Sequence, residues 1–170
     1  MTKTIHKLRP FLPADTKALQ DLFAQSIEEL TADSYDEEQR TAWVETAEDA
    51  AKFGARLTAG LTLVVGSGGD YQGFATLKDN TLLDLLYVHP FSAGQGVGTT
   101  LVDALERIAA ARGSTEITVD ASDTALPFFE KRGYVATQRN ARNLGEVWLS
   151  NTTMKKQLSP LAPTASKAVS

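Results

Sequence analysis

The stretch Val88-His-Pro-Phe-Ser-Ala-Gly94-Gln-Gly96-Val-Gly98-Thr-Thr-Leu101 carries three glycines at alternate positions. An apolar run at 81–88 precedes it, and apolar residues at helical spacing follow from 101 to 109. The chain is therefore expected to pass from a buried strand through a tight turn into a helix. Glycine permits positive φ and has no Cβ, and the first N–H groups of a helix lack intrahelical acceptors. The turn is a candidate cradle for a phosphate or pyrophosphate group.

The glycine spacing narrows the possible ligands without naming one. It matches neither the dinucleotide pattern G-x-G-x-x-G nor the P-loop, since no Lys-Ser/Thr pair follows. A tight turn whose small residues serve packing alone is the alternative interpretation, and the turn by itself does not decide between them. A module that binds another nucleotide, such as NAD or ATP, is a rival function at this point.

The rest of the chain predicts one α/β domain with the element order β-α-α-β-β-β-α-β-α-β-β. A short first strand is expected at Thr4 to Leu8, ended by Pro10, and the first helix begins near Asp15. Ser67-Gly68-Gly69-Asp70 indicates a hairpin between two β-rich runs. The 96–112 helix implies a right-handed crossover between parallel strands in a mixed sheet. The predicted second helix buries a face made of Ala47, Ala50, Ala51, Gly54 and Leu57.

Composition excludes several functional classes. The 170 residues are 42% hydrophobic and 22% charged, include no cysteine, and have a net charge of −4. Disulfides and thiolate chemistry are thereby excluded, and nucleic-acid or anionic-membrane binding is not expected. Two distant histidines argue against a metal site. With no signal-peptide or membrane-spanning pattern, we expect a cytoplasmic protein, with a domain at 1–158 and a flexible tail at 159–170.

Two motifs together resemble the GNAT superfamily of acetyl-CoA-dependent N-acetyltransferases. Val88-His89-Pro90 followed by Ala93-Gly94-Gln95-Gly96-Val97-Gly98 is similar to the strand-turn-helix signature of the family. Ala125-Leu-Pro-Phe128-Phe129-Glu-Lys-Arg-Gly133-Tyr134 is similar to a second family element, a helix before a strand. The resemblance covers about residues 4–158 and is greatest to a bacterial branch of uncharacterised members. It implies a mostly antiparallel sheet of six to seven strands, with helices on both faces and a V-shaped cleft between the central strands.

The chain departs from the family pattern at two positions. Ala93 replaces the Arg or Gln that begins the pyrophosphate signature, which removes a side chain but leaves the backbone N–H groups. Phe129 replaces the tyrosine that protonates the departing thiolate in many members, and a phenyl ring has no proton to donate.

The resemblance also implies where acetyl-CoA would bind. The pantetheine arm would pair with strand backbone near Leu86 and Val88, and a backbone N–H near Val88 would polarise the thioester carbonyl. The pyrophosphate would lie on backbone N–H groups at 95–99. The predicted coenzyme-binding residues are Leu86, Tyr87, Val88, Ala93, Gly94, Gln95, Gly96, Val97, Gly98, Thr99, Thr100, Ser122, Phe128, Phe129 and Lys131.

Direct transfer to an amine requires a base, and Asp84 is the sequence candidate. It lies among leucines, and a regular strand would place it on the same face as Leu86 and Val88. Pairing with a polar neighbour is the alternative role for Asp84. Tyr87, Ser122 or water would protonate the thiolate, and Ser122 has a second possible role as a helix cap.

The resemblance implies an acceptor side around Tyr35, Trp43, Glu45 and the region 142–148. Tyr35 and Trp43 would form an aromatic wall or pack under a lid. The expected partners are acetyl-CoA as co-substrate and the amine of a small molecule or peptide, with no metal, nucleic acid or membrane. A homodimer through the last strands is possible. A catalytically silent acetyl-CoA-binding domain is the alternative function, because of Phe129.

Overall fold

A computed structural model describes residues 6–159 of the chain as a seven-stranded sheet with helices on both faces. The strand order is β1-β2-β3-β4-β5-β7-β6, and β4 and β5 are parallel while the other neighbours are antiparallel. The expected mixed, mostly antiparallel sheet is confirmed. The strands are β1 (Leu8–Pro10), β2 (Leu61–Ser67), β3 (Asp70–Lys78), β4 (Leu82–Val88), β5 (Glu116–Ser122), β6 (Val135–Leu144) and β7 (Val147–Gln157). The helices are α1 (Thr16–Leu30), α2 (Glu37–Glu45), α3 (Ala50–Ala59), α4 (Val97–Ala111) and α5 (Leu126–Lys131).

Two predictions concern the ends of the chain: the first strand and the C-terminal tail. The first strand, expected to begin at Thr4, is observed at Leu8–Pro10, and residues 1–5 lie outside the described range. The predicted tail falls almost wholly outside it as well, from residue 160 onward. The boundary at residue 158 therefore stays a prediction.

The predicted element order lacked helix α2. No residue of α2 is buried, so it has no apolar face to reveal it. Its N-terminus does carry a signal, since Asp36 and Gln39 form a reciprocal capping box. A polar helix of this kind is recognisable from its cap rather than from its periodicity.

Helix α3 buries a different face from the one predicted. Phe53 and Leu57 are buried, whereas Ala50 and Ala51 are exposed. The two large side chains bury far more apolar area than alanines would, and their spacing of four residues sets the face that meets the sheet. The prediction was correct for Ala47 and Leu57 and wrong for the two alanines that begin the helix.

The sheet separates two hydrophobic cores. On one face α4 and α5 pack through residues such as Leu101, Leu105 and Phe129. On the other face α1 and α3 pack through residues such as Phe23 and Phe53. Strand β4 contributes side chains to both cores, so the register of the strand determines which core each of its residues joins.

Strand β4 contains a bulge at Asp84. Thr76 of β3 pairs with Leu85 and Leu77 pairs with Leu83, which leaves Asp84 without a partner on β3. Leu86 and Val88 join Leu83 against the α4 core, while Tyr87 joins Leu85 against the α1 core. The extra residue thus changes the side-chain alternation within the strand.

No helix in the described range is both long and apolar enough to cross a membrane. Strand β6 forms one edge of the sheet, and it carries the exposed side chain of Val135. Association of two copies through this edge stays a prediction.

Candidate active site

The central feature is a cleft between β4 and β5. The two strands pair only at Leu82 with Thr118 and at Leu83 with Val119, and beyond these positions they separate. The opening belongs to a cavity of about 910 Å³. The V-shaped cleft expected from the resemblance is therefore present.

Backbone donors of β4 point into this cleft. The His89 N–H donates to the Gln72 carbonyl across the β3 edge at 2.8 Å. Since N–H groups alternate sides along a strand, those of Leu86 and Val88 point to the β5 edge, where β5 has separated. The cleft thus offers strand donors to an extended ligand.

The glycine turn forms one end of the cavity. Gly94 and Gly96 have φ of +76° and +87°, in the left-handed region that glycine adopts most easily. Gly96 is the N-cap of α4 and supplies no side-chain cap, so the first N–H groups of the helix are left for a ligand. The positive end of the helix dipole favours an anion there.

His6 is a contact of this turn that the sequence did not indicate. Its Nε2 lies 2.8 Å from the Gln95 carbonyl oxygen, and because a carbonyl only accepts, the ring donates this hydrogen bond. The Gln95 side chain donates to the Phe91 carbonyl at 2.9 Å. Both contacts hold the turn from its outer side.

Most of the predicted coenzyme-binding residues line the cavity. The lining includes Leu86, Tyr87, Val88, Ala93, Gly94, Gly96, Val97, Gly98, Thr99, Ser122, Phe128 and Phe129. Gln95, Thr100 and Lys131 do not line it. The Thr100 hydroxyl donates to the Gly96 carbonyl within the first turn of α4, and Lys131 is exposed at the end of α5. Their predicted roles in coenzyme binding stay predictions.

Phe129 is both a core residue and part of the cavity wall. It is 2% exposed, and its ring packs edge-on against Phe128 and Tyr134. The Tyr134 hydroxyl lies outside the cavity lining and donates to Glu106 at 2.8 Å. Tyr134 therefore does not replace the hydroxyl that Phe129 lacks.

The Ser122 hydroxyl accepts a hydrogen bond from the Ala125 N–H at 3.1 Å. This contact stabilises the turn before α5, whose own N-cap is Ala125. Ser122 therefore caps the turn that precedes α5 and is not the N-cap of the helix itself. The hydroxyl keeps its own proton for a ligand, since it acts as an acceptor in this bond.

Asp84 does not occupy the environment predicted for it. The bulge turns it away from Leu86 and Val88, towards α3, and the shared face expected for these residues is wrong. Arg56 of α3 donates two hydrogen bonds to its carboxylate, at 2.8 and 3.0 Å. The pair raises the pKa of Arg56. Asp84 is held as a charged partner, which is the alternative role that the sequence left open.

Tyr87 lines the cavity on the side of α1 and α2. Burial raises the pKa of its hydroxyl to about 12, and the charges of Arg56 and Arg142 oppose that rise. The hydroxyl therefore keeps its proton at neutral pH. Its ring stacks on Phe74 and meets Trp43 edge-on.

Tyr35 and Trp43 both line the cavity, with ring centroids 5.4 Å apart. Tyr35 is 4% exposed. Its hydroxyl donates to the Ser150 carbonyl at 2.6 Å and accepts from the Asp123 N–H at 2.9 Å. Tyr35 thus ties the segment before α2 to β7 and to the end of β5, whereas Trp43 presents its ring beside Tyr87.

Two further charged residues line the cavity. Arg142 belongs to the region 142–148 that was expected on the acceptor side, whereas Asp120 was not among the predicted site residues. Asp120 lies on β5 and accepts from the Thr153 hydroxyl at 2.6 Å. Arg142 lies on β6 opposite Leu149 of β7. For Asp120 the sequence held a signal, because it alternates with the buried Val119 and Ala121 and so faces away from the α4 core.

Comparisons with known proteins agree with this geometry. The family model described as "Acetyltransferase (GNAT) domain" matches residues 31–158. The curated "Uncharacterized N-acetyltransferase YafP" of Escherichia coli K12 is 26% identical over 149 residues, covering 88% of this chain and 94% of that protein.

Among solved structures, the "GCN5-Related N-acetyltransferase: Aminotransferase, Class-II" from Rhodopseudomonas palustris superposes with a TM-score of 0.90. It is 53% identical, and the match covers 93% of this chain and 99% of that one. The PaiA N-acetyltransferase of Thermoplasma acidophilum, solved with coenzyme A, gives a TM-score of 0.76 at 20% identity. That match covers 91% of this chain and 99% of that one and shows the shared fold.

The chain belongs to the GNAT family of acetyltransferases. It is an acetyl-CoA-dependent enzyme by family, and the resemblance drawn from its two motifs is confirmed.

Proposed function

We propose that the protein transfers an acetyl group from acetyl-CoA directly to the amine of a small molecule or peptide. The observation that carries the proposal is the continuity of one cavity from the N-terminus of α4, through the β4–β5 cleft, to Tyr87 and Trp43. A phosphate-bearing ligand would lie at Gly96 and extend its arm along β4. The thioester would then reach the part of the cavity that the aromatic side chains enclose.

Backbone N–H groups would do most of the binding. Those at the start of α4 would hold the pyrophosphate, so the loss of a side chain at Ala93 leaves this interaction intact. The N–H groups of Leu86 and Val88 would pair with the pantetheine amides, and the Val88 N–H would stabilise the negative charge that develops on the thioester oxygen.

We propose Asp120 rather than Asp84 as the group that takes the proton from the amine. Asp84 already accepts two hydrogen bonds from Arg56. Asp120 lines the cavity on the separated part of β5 and has no cationic partner within 4 Å among residues 6–159. Its second carboxylate oxygen accepts no hydrogen bond from residues 6–159 and can take a proton directly or through water. Asp120→Asn is expected to lower kcat about 100-fold, whereas Asp84→Asn acts mainly through the position of Arg56.

The first test is thermal unfolding with acetyl-CoA, CoA, NAD and ATP. Acetyl-CoA and CoA at about 100 times their Kd are expected to raise Tm by about 5 °C or more, and NAD and ATP are not. Gly96→Trp should abolish the shift. Gly113→Trp is the matched control, because Gly113 also has positive φ, +93°, but lies at the far end of α4. A shift with NAD or ATP alone would favour the rival nucleotide-binding function.

The second test is release of CoA thiol on a panel of amines. Turnover with any amine supports the transferase. Tight binding of acetyl-CoA without turnover on a broad panel would instead favour the silent binding domain that Phe129 suggests.

A further inference from the structure

The acceptor side of the cavity carries four charged side chains. Arg56 and Asp84 neutralise each other through two hydrogen bonds. Arg142 and Asp120 also line the cavity, and neither forms an ion pair within 4 Å with any residue between 6 and 159. One positive and one negative charge are therefore left facing a ligand.

These two charges lie on the same face of the sheet. Asp120 pairs with Thr153 of β7, and Arg142 pairs with Leu149 of the same strand. Since residues two apart on a strand share a face, Leu149 and Thr153 project to one side, and their partners project with them. Leu149 and Thr153 are four positions apart, so the cross-strand rows that contain Arg142 and Asp120 lie about 13 Å apart along β7.

Polar side chains lie on the sheet between Asp120 and Arg142. The Asn140 amide donates to the side chains of Asn151 and Thr153, each at 2.8 Å, and Thr153 in turn donates to Asp120. This ladder holds Asp120 in position. Arg142 takes no part in the ladder and makes no side-chain hydrogen bond to residues 6–159, so its guanidinium is available to a ligand.

An aromatic surface lies beside these charges. Phe23, Trp43 and Tyr87 line the same cavity, and Phe23 and Tyr87 have ring centroids 4.5 Å apart. Arg142 lines the same cavity as these three aromatic side chains. A flat or apolar group would pack here while a charged group meets Arg142.

We propose that the acetyl acceptor is an amine that also carries an anionic group of the carboxylate or phosphonate type, and that Arg142 binds this group. The amine would lie at the Asp120 end of the cavity, next to the thioester, and the anion at the Arg142 end. An amino acid with an apolar or aromatic side chain has this combination. The inference rests on the proposed transferase function.

Binding is measured first, without turnover. In a Trp148→Phe background Trp43 is the single tryptophan of the chain, and its fluorescence reports on the cavity. With CoA bound, 3-phenylpropionate is expected to bind about tenfold or more tightly than 3-phenylpropionamide, as for a charge-assisted pair. Arg142→Gln should remove that preference and Arg142→Lys should retain part of it. Arg139→Gln is the matched control on β6, because Arg139 pairs with Asp123 and does not line the cavity.

Turnover is measured next, as CoA release with phenylalanine, phenylalaninamide, phenethylamine and the aminophosphonate analogue of phenylalanine. The anionic members should have kcat/KM at least about tenfold above the neutral ones, and Arg142→Gln should make all four equal. Whichever of the carboxylate and the phosphonate reacts faster identifies the anion.

The outcomes separate the two proposals. Anion-selective binding that depends on Arg142, with no turnover of any amine, would leave the anion site standing and reject the transferase. Equal binding of acid and amide, no binding of either while CoA binds, or fastest turnover of phenethylamine would overturn the anion site.

Discussion

At the scale of single residues, the source of the thiolate proton is the main chemical question, because Phe129 has none to give. Tyr87 and Ser122 are hydroxyls of the cavity lining that could act here, and the Tyr134 hydroxyl is directed to Glu106 instead. Burial raises the pKa of Tyr87 to about 12, so it carries a proton throughout the pH range in which an amine reacts. An acid with so high a pKa transfers its proton late, yet it still stabilises the leaving thiolate by hydrogen bonding.

Tyr87→Phe is expected to lower kcat about tenfold at pH 7, the effect of losing one donor worth about 1.4 kcal/mol in the transition state. The affinity for CoA should change little, because the coenzyme is held by backbone groups. Steady-state kinetics with thiol detection and a calorimetric Kd would separate the two effects. Tyr134→Phe removes a hydroxyl outside the cavity and serves as the control, with stability changed and kcat kept. An unchanged kcat in Tyr87→Phe would leave water or Ser122 as the proton source.

Residue types and spacing predicted the residues that line the cavity at the glycine turn, but not the orientation of Asp84 or the place of Arg56 and Asp120 in the cavity. The glycines of the turn act through backbone geometry, which local sequence specifies directly. The orientation of Asp84 depends on a bulge, which arises from how β4 pairs with β3 and has no local signal. Arg56 and Arg142 come from elements distant in sequence, so only the folded sheet brings them to the cavity.

At the scale of elements, Tyr35 holds three segments together. Its hydroxyl satisfies the Ser150 carbonyl and the Asp123 N–H, and its ring packs on Trp43. Tyr35→Phe would leave both backbone groups without this partner, at a cost of about 1–3 kcal/mol in the free energy of unfolding. Chemical denaturation measures that cost, and KM for the acceptor should rise as Trp43 loosens. Asn143→Ala is the control on β6 and should change neither quantity, because Asn143 is exposed, does not line the cavity and makes no side-chain hydrogen bond to residues 6–159. Equal stability of Tyr35→Phe and the native protein would contradict the role.

The junction of β1 and α1 depends on one buried carboxylate. Asp15 is 4% exposed and accepts two hydrogen bonds from Arg9, one from the Leu12 N–H and one from the Tyr71 hydroxyl, all at 2.8 Å. The Arg9 hydrogen bonds are the largest cause of the fall in the pKa of Asp15, from 3.8 to about 2. A carboxyl with a lower pKa in the folded state stabilises the fold above its unfolded pKa, and this stabilisation is lost as pH falls towards the folded pKa.

Asp15→Asn is therefore expected to lower the free energy of unfolding at pH 7 by about 2 kcal/mol, the equivalent of the pKa shift. The difference from the native protein should narrow as pH falls from 4 towards 2, where native Asp15 becomes protonated. Urea denaturation at pH 7, 5, 4 and 3 measures both. Asp21→Asn is the control, because Asp21 belongs to an exposed pair with Lys17 and should change stability by about 0.5 kcal/mol or less. A difference that is constant across this pH range would show that packing, not charge, holds the junction.

At the scale of the whole molecule, the order of the elements could be predicted because strand and helix periodicities alternate clearly after residue 60. Helix α2 could not, since it packs between α1 and β7 through contacts that leave none of its residues buried. The proposed coenzyme end of the cavity therefore rests on β4 and α4, whereas the proposed acceptor end is lined by residues of α1, α2, α3, β6 and β7. The sheet brings the two halves together where β4 and β5 separate.

Beyond Leu83, β4 has no neighbouring strand on its β5 side, so an extended ligand in the cleft would pair with β4 as an added strand. Amide hydrogen exchange, followed residue by residue by NMR on ¹⁵N-labelled protein, tests the idea. Binding of CoA is expected to slow exchange at Leu86 and Val88 about tenfold or more, because their N–H groups would gain acceptors. His89 is the internal control, since its N–H already donates to Gln72 and should change less. Equal slowing at all three positions would indicate general stabilisation by the ligand, and no slowing at Leu86 and Val88 would mean that the pantetheine arm takes another path through the molecule.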